Sequence, residues 1–252
     1  MRRHTTFRTG NPTLTASTFK DITNNTSERM TLEGSVNKSG ISLLILMFTA
    51  FYTFSTNNAN YIWPGFIGGF ILAIITMFKK EWSPYTVPMY AALEGLALGG
   101  ISLLFNNIYP GIAQQAVFLT FGIFGALLFA YKTKMIQATE NFRLGIFAAT
   151  AGIGIAYLIN FIVSWWSGSN LYFMTMGQPG APAPMISIGF SLFVVIIAAL
   201  NLVLDFDFIE QGAEIGAPKY MEWYAAFGLL VTLIWLYLEI LRLLAKLQSR
   251  RN

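Results

Sequence analysis

The stretch ISIGFSLFVVIIAALNLVLDF, from Ile186 to Phe206, decides the fold. It runs for 19 residues before its first charged side chain, Asp205. A run of about 18 or more apolar residues with few charges is long enough to cross the hydrocarbon core of a bilayer as a helix. Working outward from it, six further apolar segments are read as spans: Ile41–Ser55, which is short and can begin within the preceding polar residues, Tyr61–Phe78, Val87–Phe105, Ala113–Tyr131, Leu144–Trp166 and Trp223–Leu244. The expected architecture is therefore an all-α integral membrane protein with seven transmembrane helices. Its expected organisation is a polar N-terminal tail (1–38), a seven-helix domain (39–247) and a short basic C-terminal tail (248–252).

Composition agrees. The chain is 55% hydrophobic and only 11% charged, where a soluble domain carries about twice that share of charge. The absence of cysteine removes disulfides, thiolate metal sites and thiol nucleophiles. The only histidine, His4, lies in the polar tail, which excludes His-based metal clusters and a Ser-His-Asp triad. Met1 to Gly40 is polar and holds no secretory signal, so the first apolar helix is expected to direct insertion. The net charge of +4 fits membrane-flanking anchors better than nucleic-acid binding.

The connections alternate in charge. Thr56–Asn60, Asn106–Gly111 and Ser167–Pro184 contain no Lys or Arg. The intervening segments carry Lys79 and Lys80, then Lys132, Lys134 and Arg143, and the tail adds Arg2, Arg3, Arg8, Lys20, Arg29 and Lys38. Lys and Arg are retained on the cytoplasmic side, so the tail and the basic loops are expected there. Trp63, Trp82, Trp165 and Trp166 fall near span ends, where amphipathic rings favour the interface. One set of charges opposes this scheme. Seven crossings put the C-terminus outside, yet it carries Arg242, Lys246, Arg250 and Arg251.

Four spans (the first, second, fourth and fifth) hold no Asp, Glu, Lys or Arg. The informative residues are Glu94 in the third, Asp205 and Asp207 at the end of the sixth, and Glu239 with Arg242 in the seventh. An ionised side chain at mid-membrane costs roughly 2.5–3.5 kcal/mol, so such residues face the protein interior or a wet cavity and pair with something. Asp207, followed by Glu210 and Glu214, reads as a solvated helix end. Glu239 and Arg242 stand three apart on one face and can neutralise each other. Glu94 precedes Gly95, Gly99 and Gly100, whose small size suits close helix packing but does not explain the carboxylate. Asp205 is the strongest candidate. It lies four residues after Asn201 on the same helical face, so the two can line one groove. Burial among apolar neighbours penalises the charged form of a carboxylate, and a second carboxylate nearby penalises it further. Such a pair shares a proton and can switch near neutral pH. Oxygen ligands from Asp, Glu and Asn equally suit a hard cation such as Ca²⁺ at Asp205.

Asn201-Leu-Val-Leu-Asp205-Phe-Asp-Phe-Ile209 and Leu236-Tyr-Leu-Glu239-Ile-Leu-Arg-Leu-Leu244 resemble the Bax inhibitor-1 family of membrane proteins. Asn11-Pro-Thr-Leu, Met30-Thr-Leu-Glu-Gly-Ser and Leu93-Glu-Gly-Leu-Ala-Leu-Gly-Gly100 resemble its bacterial YccA-like branch. The resemblance covers most of the chain and is carried by the order and spacing of apolar motifs. It implies a seven-helix fold with the last helix central, and a bacterial inner-membrane location. It also implies a pH-sensitive Ca²⁺ leak governed by one acidic residue on each of the last two helices. Asp205 matches the first, with Ile209 four residues on. Glu239 matches the second, as a substitution for the usual Asp.

The chain departs from the family in two places. The acidic pair is separated by 34 residues, and a seventh helix starting near Trp223 puts Glu239 about 16 residues, or ~24 Å, along it. Contact with Asp205 would need an extra helix in Glu210–Glu222 or a different partner. The arginine that bacterial members can carry in the second span is absent from Gly65–Phe78, which leaves Glu94 or Arg242 to build any latch.

The preferred function is a pH-gated calcium or cation leak without enzymatic activity or a resident cofactor, passing Ca²⁺ or H⁺. A non-conducting interaction protein is the alternative from another class. There the polar tail would engage a membrane-protein partner in membrane proteolysis or a stress response. Buried carboxylates also suit a proton-coupled transporter, although no internal repeat is evident.

Overall fold

The computed structural model describes residues 29–177 and 181–251. The tail residues Arg2, Arg3, His4, Arg8 and Lys20, the Asn11-Pro-Thr-Leu segment and the tip of the Ser167–Pro184 connection lie outside the described residues. Seven helices long and apolar enough to cross a membrane account for nearly all the rest. They are α1 (Leu32–Ser55), α2 (Ile62–Phe78), α3 (Ser83–Ile108), α4 (Ile112–Lys132), α5 (Glu140–Ser167), α6 (Met185–Glu214) and α7 (Met221–Gln248). Among the described residues the only β-pairing is an isolated antiparallel bridge between Arg29 and Pro218.

Local chemistry sets the ends. Thr31 caps α1 by accepting the Gly34 N–H, with Glu33 in the first turn. Thr139 and Glu140 do the same for α5, which stops at Gly168 in the left-handed region (φ 68°). α1 begins well before Ile41, inside the stretch read as tail, because its cap lies there. α6 continues past Phe206 to Glu214, so the carboxylates expected at its end lie inside it. No extra helix occupies the connection to α7, which is a turn closed at Gly216 (φ 66°).

Two compact units are distinguished. The first comprises residues up to Leu104 together with the hairpin Leu204–Val231. Here α3 lies close against α1: a Cβ at Gly95 or Gly99 would run into the backbone carbonyls of Leu46 or Ala50. Small residues allow that approach where apolar lipid supplies no hydrophobic drive for association. Thr76 of α2 donates to Thr86 of α3 at 2.7 Å, and Ser83 donates to the Tyr220 carbonyl at 2.8 Å. The second unit comprises Phe105–Val203 and Thr232 onward, and so contains α4, α5, most of α6 and the last part of α7.

Burial is unequal. In the most apolar stretches of α3, α6 and α7, 56% of residues are buried, against 11–22% in α1, α2, α4 and α5. The poorly buried helices expose large apolar side chains such as Phe48, Phe70, Phe129 and Phe161. In water that surface would be a liability; in lipid it is the solvated state. Trp63, Trp82, Trp165 and Trp166 are all exposed near helix ends, as expected of interfacial rings.

Candidate functional site: buried ionisable residues along the last two helices

Asp205 is fully buried in the first unit, on a turn of α6 whose neighbours Leu202, Val203, Leu204, Phe206 and Phe208 are buried too. It precedes the end of α6 by nine residues. Asp207 is half-buried and accepts a 2.6 Å hydrogen bond from Gln211 one turn on. It is therefore held within the helix, where a solvated end was expected. The reason is that α6 continues through Glu210 and ends only at Glu214. Glu94 lies in the same unit, one turn after Tyr90, which is buried edge-on against Phe227 of α7 at 4.9 Å. Across from Glu94, α2 presents Gly69, where a Cβ would meet the Glu94 carboxyl.

Asn201 belongs to the second unit and is 1% exposed. Its amide donates to the Thr150 hydroxyl of α5 at 2.9 Å and to the Ile197 carbonyl at 2.8 Å. It shares a helical face with Asp205, but its amide is engaged by α5 through Thr150 and by its own helix through the Ile197 carbonyl.

Glu239 is also in the second unit and 1% exposed. Its Oε1 accepts from the Tyr157 hydroxyl at 2.8 Å and from Arg242 Nη1 at 2.8 Å. Arg242 also donates to the Tyr157 oxygen at 3.3 Å, and its guanidinium lies 5.5 Å from that ring's centroid. The spacing-based ion pair thus forms, with a tyrosine that sequence inspection had not singled out. Two turns of helix after Glu239 comes Lys246, one of the basic residues near the C-terminus. It is buried and donates to the Ser191 hydroxyl at 2.8 Å and the Ser187 carbonyl at 3.2 Å. Glu222, treated beforehand as part of a connection, is fully buried at the start of α7. It accepts from Thr31 and pairs with Lys219 at 3.2 Å. Its one sequence signal was an acidic residue in a helix's first turn.

Among the described residues no group of three or more His, Cys, Asp or Glu is placed to hold a metal ion. What the two units contain are single acidic groups, each in its own apolar or hydrogen-bonded setting. Such groups persist inside a membrane protein where they serve a pathway, a proton relay or an ion pair.

Seven apolar helices with ionisable side chains buried along the last two define a multi-pass integral membrane protein. Its family follows from comparison with known proteins: the Bax inhibitor 1 like family model matches residues 11–249, and the chain belongs to that family. No curated protein and no solved structure matches it.

Proposed function

We propose that this protein is a pH-sensitive cation leak of the bacterial inner membrane with Ca²⁺ as its principal ion. In this reading its N-terminus is cytoplasmic and it is gated by the protonation state of Asp205. The observation that carries this is the complete burial of Asp205 inside an apolar turn of α6. A carboxylate inside an apolar turn carries a desolvation cost that an apolar residue there would not. Membership of the Bax inhibitor 1 like family supports it. In this reading Asp205 is an oxygen ligand when ionised and a neutral hydrogen-bonding group when protonated. One proton thereby changes both the charge and the coordinating power of the pathway. Glu94, in the same unit, is one acidic partner. Glu239, held by Tyr157 and Arg242, is a second acidic station on α7, already neutralised by an arginine.

The test is flux. Protein reconstituted into Ca²⁺-loaded liposomes is expected to release the ion at a rate that changes with pH. Asp205→Asn, fixed in the neutral state, is expected to abolish that pH dependence. Unaltered flux and pH profile in Asp205→Asn would remove Asp205 as the gate, and absence of flux in the parent protein would remove the leak itself.

A further inference from the structure

Three consecutive residues at the start of the described chain engage the α6–α7 turn, each by a different interaction. Arg29 pairs with Pro218 in an antiparallel bridge, and its side chain lies over Gly216. The Met30 N–H donates to the Ala217 carbonyl at 2.6 Å. The Met30 side chain, 2% exposed, packs with Phe208, Ile209, Ala217, Met221, Tyr224 and Ala225. Thr31 gives both its N–H and its hydroxyl to Glu222 Oε1, each at 2.9 Å. Glu222 is completely buried, and Gly34 is a glycine where a Cβ would collide with its carboxyl.

Two features mark this as more than the start of a helix. The Thr31 hydroxyl oxygen already caps α1 by accepting the Gly34 N–H at 3.0 Å, so α1 does not need Glu222 in order to begin. Glu222 for its part has Lys219 as its ion pair, on a lysine side chain 43% exposed. Its Oε2 takes no hydrogen bond among the described residues. If Thr31 withdraws, the carboxylate loses two donors while buried, and only water can replace them. The socket that Met30 fills begins with Phe208 and Ile209, one turn beyond Asp205 on the same helix.

We propose that Arg29–Thr31 is a plug in the α6–α7 turn, whose seating covers and whose withdrawal uncovers the Asp205 end of α6. Met30 supplies the apolar contact, Thr31 with Glu222 the polar lock, and Arg29 with Pro218 the backbone register. The proposal concerns access to that end of the helix and stands whether or not ions pass through the protein. A leak that fails in liposomes therefore leaves it intact.

Hydrogen exchange of the segment 204–231 in the purified full-length protein tests it. Thr31→Val keeps side-chain shape but removes both the donor to Glu222 and the α1 cap; within 204–231 it is expected to speed exchange by about tenfold, the scale of the one buried hydrogen bond that Glu222 loses. Met30→Ser is expected to do the same by emptying the socket. In the opposite direction, the chain has no cysteine, so Arg29→Cys with Pro218→Cys forms a single disulfide across the bridge. That closure is expected to slow exchange in 204–231, with reductant restoring the parent rate. Faster exchange in Thr31→Val together with slower exchange in the disulfide form supports the plug. Unchanged exchange in both overturns it, even if Met30→Ser fails to fold.

Discussion

Glu239 shows what a carboxylate needs in order to sit inside an apolar helix. Arg242, one turn on, gives charge compensation at 2.8 Å, and Tyr157 from α5 gives a neutral donor at the same distance. The tyrosine serves twice, because its oxygen also receives Arg242. Tyr157→Phe deletes one atom and is expected to destabilise the protein by about 1–3 kcal/mol, the cost of stripping partners from buried polar groups. Combining it with Arg242→Gln in a double-mutant cycle, read by thermal unfolding in detergent, is expected to show a coupling of about 0.5–3 kcal/mol. Additive losses would mean that the three groups do not act as a unit. The Glu239–Arg242 pair was legible in the sequence because three residues along a helix is a local distance. Tyr157 was not, since it is 82 residues away in the chain, and a tyrosine in an apolar span has no periodicity of its own. Lys246 and Glu222 were overlooked for a related reason. Near a span end a charge defaults to the solvent, and only tertiary structure reveals that it has been drawn inside. Asp205 could be picked out because a carboxylate in a long apolar run stands apart in the sequence, although apolar composition alone does not separate a buried helix from a lipid-facing one.

At the scale of the helix, the glycines divide into two populations that the sequence does not distinguish. Gly95 and Gly99 on α3 face the backbone of α1, whereas Gly125 on α4 and Gly152 on α5 have nothing within 4 Å of a would-be Cβ. Gly99→Val forces atoms against the Ala50 carbonyl and is expected to cost about 1–3 kcal/mol by overpacking. Gly152→Ala introduces no collision and removes a helix-weakening glycine, so a gain of up to about 1 kcal/mol is expected. Thermal melting of both variants in one detergent gives the comparison, and equal effects would contradict the α1–α3 contact. The number and order of the helices were legible because hydrocarbon thickness imposes a minimum apolar length. Their ends were less so. Hydropathy reports the stretch that matches the membrane, while a helix continues until a cap satisfies its last backbone groups. Hence α1 starts at its Thr31 cap and α6 continues through two glutamates to Glu214.

For the molecule as a whole, the basic C-terminal end was the one feature opposed to seven crossings. The structure gives most of these charges a partner, one at a time. Arg242 is committed to Glu239, Lys246 is buried on Ser191 and the Ser187 carbonyl, and Arg250 donates to the Ala183 carbonyl at 3.1 Å. Ser249 reinforces that end by accepting the Ala183 N–H at 3.1 Å, beside Gly177 where no side chain would fit. The positive-inside rule weighs basic residues that remain in short loops near the membrane surface. Of the four basic residues at this end, Arg250 and Arg251 are exposed, and Arg251 is held among the described contacts through its backbone N–H to the Gln248 carbonyl. Arg242 is offset by Glu239 and Lys246 is buried, which lowers their weight, and the uncharged α1–α2 and α5–α6 connections are expected to decide which side the C-terminus occupies. The native absence of cysteine makes this directly measurable. In intact cells, a membrane-impermeant maleimide is expected to label Asn57→Cys, Ser169→Cys and Asn252→Cys alike. Thr133→Cys, in a basic connection, is expected to react only after the membrane is opened. Lys246→Gln should leave that pattern unchanged, because a lysine held inside the protein has no orienting role. Labelling of Asn252→Cys in step with Thr133→Cys would place both termini on one side, and α7 would then not cross the membrane.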